Sequence, residues 1–243
     1  MNSLLSVKNL SKTYYDVKAI DDISFDVNEG EFLSLIGPSG CGKSTILNIL
    51  ALIDKDYDGI VSYMDEVTIG YMSQDNGLFP YLSVWDNAIL GLKVKKKINN
   101  DSLNYTKSLL KKYGLYDFRN KKTSSLSGGM KQRLSLIRTL AIKPKLILLD
   151  EAFSALDYVN RIKVSEDVYN IIKSEGVTLL MVTHDISEAI SLSDRIIVLS
   201  DRPSKVKSVY NISILESSPS LRRVSSLFNH YFDNIWKDIN NYE

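Results

Sequence analysis

The eight residues Gly37-Pro38-Ser39-Gly40-Cys41-Gly42-Lys43-Ser44 fit the pattern G-x-x-x-x-G-K-[ST], and their types suit the binding of a chain of phosphates. Glycines let the backbone bend so that successive N–H groups point inward at phosphate oxygens, and a helix beginning there adds its positive end. Lys43 would reach the β and γ phosphates, the Ser44 hydroxyl would ligate Mg²⁺, and Thr45 extends the phosphate-binding set. The competing reading is a glycine-rich turn without function. Against it stand the apolar run at residues 32–36 just before the turn and the helical spacing of residues 44–52 just after it. Further along, the apolar run Leu146-Ile147-Leu148-Leu149 ends in Asp150-Glu151. Such a strand delivers both carboxylates to the sheet edge where ligands sit. Asp150 could support the metal shell and Glu151 could act as general base toward an attacking water. Acidic residues often end buried strands, so the pair gains weight from its company with the phosphate loop.

A second anion-binding turn is Leu126-Ser127-Gly128-Gly129-Met130, followed by Lys131-Gln132-Arg133 and by a helix expected over about residues 130–141, stopped before Pro144. It resembles the signature motif of ATP-binding-cassette (ABC) ATPases. Other motifs of that family follow in order. Gln74 in Tyr71-Met72-Ser73-Gln74 looks like the Q-loop glutamine, Ser154-Ala155-Leu156-Asp157 like the D-loop, and His184 in Val182-Thr183-His184-Asp185 like the H-loop histidine. Tyr14 lies where the family places an aromatic residue against adenine, with the adjacent Tyr15 as the alternative. The resemblance spans roughly residues 4–215.

The resemblance implies ATP and Mg²⁺ as cofactors. It implies catalytic roles for Glu151, His184, Gln74 and Lys43, and metal contacts from Ser44, Gln74 and Asp150. Nucleotide contacts would come from Tyr14, from Gly37, Pro38, Ser39, Gly40, Cys41, Gly42, Lys43, Ser44 and Thr45, and from Ser127, Gly128, Gly129 and Asp157. Two cassettes, this chain and a second copy or a related one, would close head to tail on two MgATP and drive separate transmembrane permease subunits. An extracytoplasmic substrate-binding protein would be an indirect partner, nucleic acid would not be one, and the chain would sit peripherally on the cytoplasmic face of the membrane. Within the family, residues 79–87 and 194–200, with Arg202-Pro203, look most like the ATPase subunits of nitrate-, sulfonate- and taurine-type importers, which suggests a small anionic or organic solute. The interval from Lys43 to Gln74 is shorter than the family usually has, so a hairpin or loop is expected to be trimmed there, leaving the sheet edge open. A soluble cassette of DNA repair or of the ribosome would bring paired cassettes or coiled-coil arms, which this chain lacks, and a non-hydrolysing switch is disfavoured by Glu151 and His184.

The elements that must hold these residues are those of an α/β P-loop fold. Its sheet is mostly parallel, preceded by an N-terminal antiparallel β subdomain and interrupted by a helical subdomain carrying the signature motif. Residues 4–10 and 20–27 read as the first strands; the runs at 32–36, 146–149, 177–182 and 196–199 are short and rich in Val, Ile or Leu, as buried strands are. The nucleotide-binding core is expected at residues 1–74 and 143–215, the helical subdomain at 75–142 and a C-terminal helix at 216–243, all in one domain. Leu103, Leu110 and Tyr113 mark one helix face, with Gly114 as its stop. Leu78, Phe79, Pro80, Tyr81, Leu82 and Trp85 form an aromatic cluster that either packs the insert on the sheet or receives a permease helix. Residues 93–122 hold ten Lys or Arg against Asp101 and Asp117: a solvated helical face, or a surface biased toward a membrane-associated partner. After Ser218-Pro219, the residues Leu221, Val224, Phe228, Tyr231 and Ile235 recur at helical spacing, as core or as an oligomer contact.

The chain of 243 residues is 44% apolar and 24% charged, the composition of an ordinary globular protein. Its 30 basic and 29 acidic residues give no global attraction to nucleic acid or an anionic membrane. No apolar run approaches the ~18 residues of a membrane span, the first ten residues lack a signal-peptide pattern, and the one cysteine, Cys41, fits a reducing compartment.

Overall fold

A computed structural model describes residues 3–64 and 67–240. Residues 1, 2, 65, 66 and 241–243, which the expected subdomain boundaries include, lie outside the described set. In chain order the elements are β1 (Ser3–Tyr14), β2 (Val17–Asn28), β3 (Phe32–Ile36), α1 (Lys43–Leu50), β4 (Asp58–Tyr63), β5 (Ile69–Met72), α2 (Val84–Ala88), α3 (Leu90–Val94), α4 (Asn100–Lys112), α5 (Gly128–Leu140), β6 (Leu146–Asp150), α6 (Tyr158–Ser174), β7 (Thr178–Thr183), α7 (Ile186–Leu192), β8 (Arg195–Leu199), β9 (Val206–Asn211), α8 (Pro219–Arg222) and α9 (Ser226–Asn240).

Among the described residues the strands form two sheets. One is antiparallel in the order β2-β1-β4; the other runs β5-β6-β7-β3-β8-β9, parallel except for β9, which pairs antiparallel to β8. This is the mixed α/β fold expected from the sequence. The parallel strands are buried on both faces, and their side chains alternate between two cores. Ile147, Leu149, Leu179 and Met181 face α5 and α6 with Leu134, Ile137, Val168 and Ile172, whereas Leu146, Leu148, Leu180 and Val182 face α1 and the antiparallel sheet with Ile46, Leu47, Leu5 and Ile23. A continuous Leu/Ile/Val run is what two apolar neighbours require.

Strand order also explains how the chemistry is gathered. In β5-β6-β7-β3 the carboxyl ends stand side by side and nearly level, with Met72 opposite Leu149, Asp150 opposite Val182 and Thr183 opposite Ile36. The segments leaving those ends carry Gln74, Glu151, His184 and the Gly37 turn, in that spatial order.

The structure completes some expectations and corrects others. β4 and β5 occupy the short interval between Lys43 and Gln74, so that interval retains one strand in each sheet, and β5 forms the edge that the sequence left open. β9 lacks an apolar run and was not anticipated from the sequence. The helix after the phosphate loop stops at Leu50, and Leu52 is exposed at φ +60°. The C-terminal stripe is divided by a break between α8 and α9. Phe228, Tyr231 and Ile235 pack with Ile190, Ile212 and Ile214, but Leu221 and Val224 are 52% and 79% exposed and do not belong to the core.

Helix α4 of the insert stops just before Gly114, as expected, and its N-terminal cap is supplied by residues the sequence did not single out. Asn99 and Ser102 close a capping box on α4, Asp101 lies in its first turn, Lys111 and Lys112 in its last, and Gly114 follows at φ +74°. The basic stretch is dispersed over that surface. Lys93 pairs with Asp86 and Lys112 with Glu175, while Lys107, Lys111 and Arg119 surround the Tyr116 ring. The aromatic cluster divides too: Leu78 and Trp85 pack on the core, whereas Phe79 and Tyr81 are 39% and 67% exposed and meet edge to face at 5.7 Å. Among the described residues no helix is long and apolar enough to cross a membrane.

Candidate active site

The phosphate loop joins β3 to α1. Gly40 and Gly42 take φ of +75° and +113°, a region that costs residues with a Cβ and does not cost glycine. A Cβ on Gly40 would meet only open space, and one on Gly42 would lie 3.4 Å from the Ala19 carbonyl and 3.5 Å from Ile20 Cγ1. The loop is therefore a backbone cradle, open at Gly40 and backed by β2 at Gly42. Lys43 is buried, its ammonium donating to the Gly37 and Pro38 carbonyls at 2.7 and 2.9 Å. Ser39 and Gly40 are exposed, and Arg202 Nη2 donates to the Gly40 carbonyl at 2.7 Å. Cys41 contributes backbone only: its side chain is 1% exposed, Sγ lies 3.9 Å from Lys43 Nζ, and its amide donates to Pro38 O. Thr45 follows Ser44 in the first turn of α1.

Ser44 Oγ donates to Asp150 Oδ1 at 3.1 Å, across the gap from α1 to the end of β6. Asp150 Oδ2 accepts from the Tyr71 hydroxyl at 3.0 Å. Burial first, then the Asp150 charge, pushes Tyr71 well above the usual tyrosine range, so it remains a donor and fixes the carboxylate. A hydroxyl and one carboxylate are a sparse set, and no group of three His, Cys, Asp or Glu side chains forms a metal cage among the described residues. That suits Mg²⁺, which keeps waters and phosphate oxygens in its shell. Gln74 is joined not to that pair but to Ser154, its Nε2 donating to Ser154 Oγ at 3.0 Å with Oε1 unused by that bond.

Glu151 has φ +43°, strained for a residue with a side chain. Three bonds hold it: its N–H to Val182 O at 3.0 Å, and its carbonyl accepting from Ser154 N at 3.1 Å and Ser154 Oγ at 2.8 Å. The turn brings Glu151 Oε2 to 3.1 Å from His184 Nδ1. With Nδ1 as the protonated nitrogen, the ring donates to the carboxylate and leaves Nε2 for a second partner.

Ser127 caps α5, its Oγ accepting from Met130 N at 3.3 Å, and Gly128 and Gly129 lie against Leu156 and Val164. Among the described residues no hydrogen bond or ion pair joins this turn to the phosphate loop. Its link to the turn after β6 is Gln132, fully buried, donating to the Ala152 carbonyl at 3.0 Å. Asp157 caps α6; the Asn160 side chain and amide hold its carboxyl below the usual range. Tyr14 ends β1 at the hairpin into β2, paired with Val17. Its hydroxyl donates to Asp54 Oδ2 at 3.1 Å and Lys12 Nζ stands 4.7 Å from its ring, whereas Tyr15 is fully exposed in the turn. Tyr71, Ser154, Gln132 and Arg202 were given no role of their own in the sequence, although each lies in a stretch quoted there: Tyr71 before Gln74, Ser154 before Asp157, Gln132 after the Ser127 turn and Arg202 beside Pro203.

A phosphate loop between strand and helix, with a serine–aspartate pair and a glutamate–histidine pair at the ends of adjacent parallel strands, defines a P-loop nucleoside triphosphatase. Residues 20–154 match the family model described as ABC transporter. The chain belongs to the ABC transporter family, as a nucleotide-binding ATPase. It is 39% identical to an uncharacterized ABC transporter ATP-binding protein, YtlC of Bacillus subtilis, over 99% of this chain and 97% of that one. It is also 39% identical to the spermidine/putrescine import ATP-binding protein PotA of Mycoplasma mycoides over 82% of this chain, which spans 59% of that protein. Among solved structures, cbiO1 of Clostridium perfringens, part of the ABC transporter complex cbiONQ, superposes with TM-score 0.76 at 26% identity, covering 87% of this chain and 89% of that one. An inward-facing putative metal-chelate type ABC transporter superposes with TM-score 0.75 at 28% identity, covering 89% and 86%. These relatives do not single out the nitrate, sulfonate or taurine type.

Proposed function

We propose that this chain is the ATP-hydrolysing subunit of an ABC importer, closing head to tail with a second cassette on two MgATP at the cytoplasmic face of a membrane and moving separate permease subunits. The observation that carries the proposal is the 3.1 Å contact between Glu151 Oε2 and His184 Nδ1, placed beside the Ser44–Asp150 pair. Bound MgATP supplies the reactive γ-phosphoryl group and the charge of the metal. Lys43 exchanges the Gly37 and Pro38 carbonyls for phosphate oxygens. Ser44 and Asp150 would hold the metal, with Gln74 as a further candidate ligand. Glu151 accepts a water proton at Oε1, since Oε2 is engaged by His184, and His184 presents Nε2 to the phosphate. The Ser127-Gly128-Gly129 turn, unconnected to its own phosphate loop, serves the loop of the partner, and Asp157 stands in the same interface. Binding then closes the dimer and hydrolysis weakens it. The PotA and metal-chelate relatives support import. The resemblance of residues 79–87 and 194–200 favours a nitrate-, sulfonate- or taurine-type cargo, to be set against spermidine in uptake assays, with a substrate-binding protein delivering it.

Glu151→Gln keeps the shape of the side chain and deletes the base. It is expected to bind ATP, to lose phosphate release by at least about a hundredfold, and to move from monomer to dimer in size-exclusion chromatography when ATP is added. Phosphate release near the wild-type rate would remove Glu151 from that role.

A further inference from the structure

Arg161 lies in the first turn of α6, four residues after Asp157, and its guanidinium spans two chemically important loops. Nη2 donates to the carbonyls of Leu156 at 3.1 Å and Ser154 at 3.4 Å, both in the D-loop. Nη1 donates to Asp185 Oδ2 at 3.2 Å, and Asp185 directly follows His184. The far side of the histidine is anchored as well. Asp185 N–H donates to Thr183 Oγ1 at 3.1 Å, the Thr183 hydroxyl donates to the buried Glu188 carboxyl, and Asp185 Oδ1 caps α7 through Glu188 N. Ser154 in turn holds Gln74 and the Glu151 carbonyl. The contacts thus close a circuit from Ser154 through Arg161, Asp185 and His184 to Glu151 and back to Ser154.

We propose that Arg161 is a positioning residue, coupling the D-loop at residues 154–157 to the His184 imidazole through its bridge to Asp185, so that displacement of one loop is transmitted to the other. The coupling deepens the proposed function, resting on its assignment of His184 and the D-loop. A planar guanidinium can hold two acceptors in a fixed relation, and a lysine ammonium cannot reproduce that fork. Both side chains of the ion pair are about a quarter exposed, so its contribution to stability is small. Its effect is therefore geometric, and its loss should move the histidine without unfolding the chain.

The chain has two histidines, and the second, His230, sits on α9 beside Tyr231 and Asn234. Imidazole NMR of the full chain, assigned with His230→Gln, therefore reads His184 without nucleotide. Arg161→Ala and Asp185→Asn should each shift the His184 ring signals and leave His230 unmoved, and the double variant should shift them no further than the larger single change. In steady-state hydrolysis, Arg161→Ala should lower kcat about tenfold with KM for ATP within about twofold. Arg161→Lys, which restores the charge but not the fork, should stay low. Arg161→Gln replaces the alanine variant if thermal unfolding shows that one to be misfolded. Unmoved His184 signals in a folded Arg161 variant, or moved signals with undiminished kcat, would overturn the proposal. Full hydrolysis by His184→Ala would instead overturn the catalytic assignment of His184 while leaving the measured coupling intact.

Discussion

Glu151 has two incompatible tasks, since its backbone sits at φ +43° while its side chain must reach His184. Strain of this kind costs roughly 1–3 kcal/mol and persists where surrounding bonds over-determine it. Glycine adopts that conformation freely, so Glu151→Gly is expected to raise the melting temperature by about 2–4 °C for roughly 1 kcal/mol regained, while hydrolysis disappears. A lower melting temperature in calorimetry would show that the backbone is not strained. Glu188 has an unusual charge balance. Burial pushes its carboxyl up to about 7; the Thr183 hydrogen bond opposes that rise, Asp185 adds to it, and Arg161 and Arg223 oppose it. A raised carboxyl means that the folded state holds more protons than the unfolded state between about 4.5 and 7, so stability present below that window is lost as pH rises through it. Glu188→Gln removes the titration. It should melt at nearly the wild-type temperature at pH 4.5 and about 4 °C or more above it at pH 8; equal pH dependence in both proteins would contradict the assignment.

At the scale of elements, the loop before α2 is positioned by one buried side chain. Asn87 accepts from Phe79 N at 2.9 Å and donates to the carbonyls of Phe79 and Ser83, each at 3.0 Å. That fixes Phe79 and Tyr81 outside, while Trp85 packs inward between the main core and the small cluster of Ile89, Leu92 and Ala141. The two kinds of aromatic residue should therefore respond differently. Phe79→Ala with Tyr81→Ala should leave the circular dichroism melting curve within about 1 °C of wild type and soluble ATPase activity intact, yet reduce transport in reconstituted vesicles. Trp85→Ala should destabilise by about 2–4 kcal/mol. Equal losses of transport and soluble ATPase activity in the exposed pair would assign it a packing role instead.

For the whole molecule the decisive property is that, among the described residues, no hydrogen bond or ion pair joins the Ser127 turn to the Lys43 loop of the same chain. Consider Lys43→Ala and Ser127→Arg in a purified heterodimer with Glu151→Gln throughout. In the proposed head-to-tail dimer, defects placed on opposite chains fall together in one composite site and the other stays intact, so about one labelled ATP should remain bound after gel filtration. Placed on the same chain opposite a normal partner, each site has one defect and almost no label should be retained. The reverse ranking would mean that each site is complete within one chain, and the dimer mechanism would fall.

What was legible in the sequence was contiguous. The phosphate loop, the Ser127-Gly128-Gly129 turn ahead of its helix and the helical stop at Gly114 each depend on a few neighbouring backbone groups, so residue type and spacing determine them. The runs at 32–36 and 146–149 identified buried strands because both faces needed apolar side chains. β4, β5 and β9 escaped because an edge strand lacks that double constraint, and the core reading of Leu221 and Val224 failed because helical spacing cannot reveal where a helix breaks. The contacts made by the candidate site residues were settled only in three dimensions. Glu151 meets His184 across 33 residues, Tyr71 holds Asp150 across 79, and Arg161 reaches Asp185 across 24. Those distances follow from the strand order β5-β6-β7-β3. Strand order is decided by which faces can be buried together, and local spacing carries no record of it.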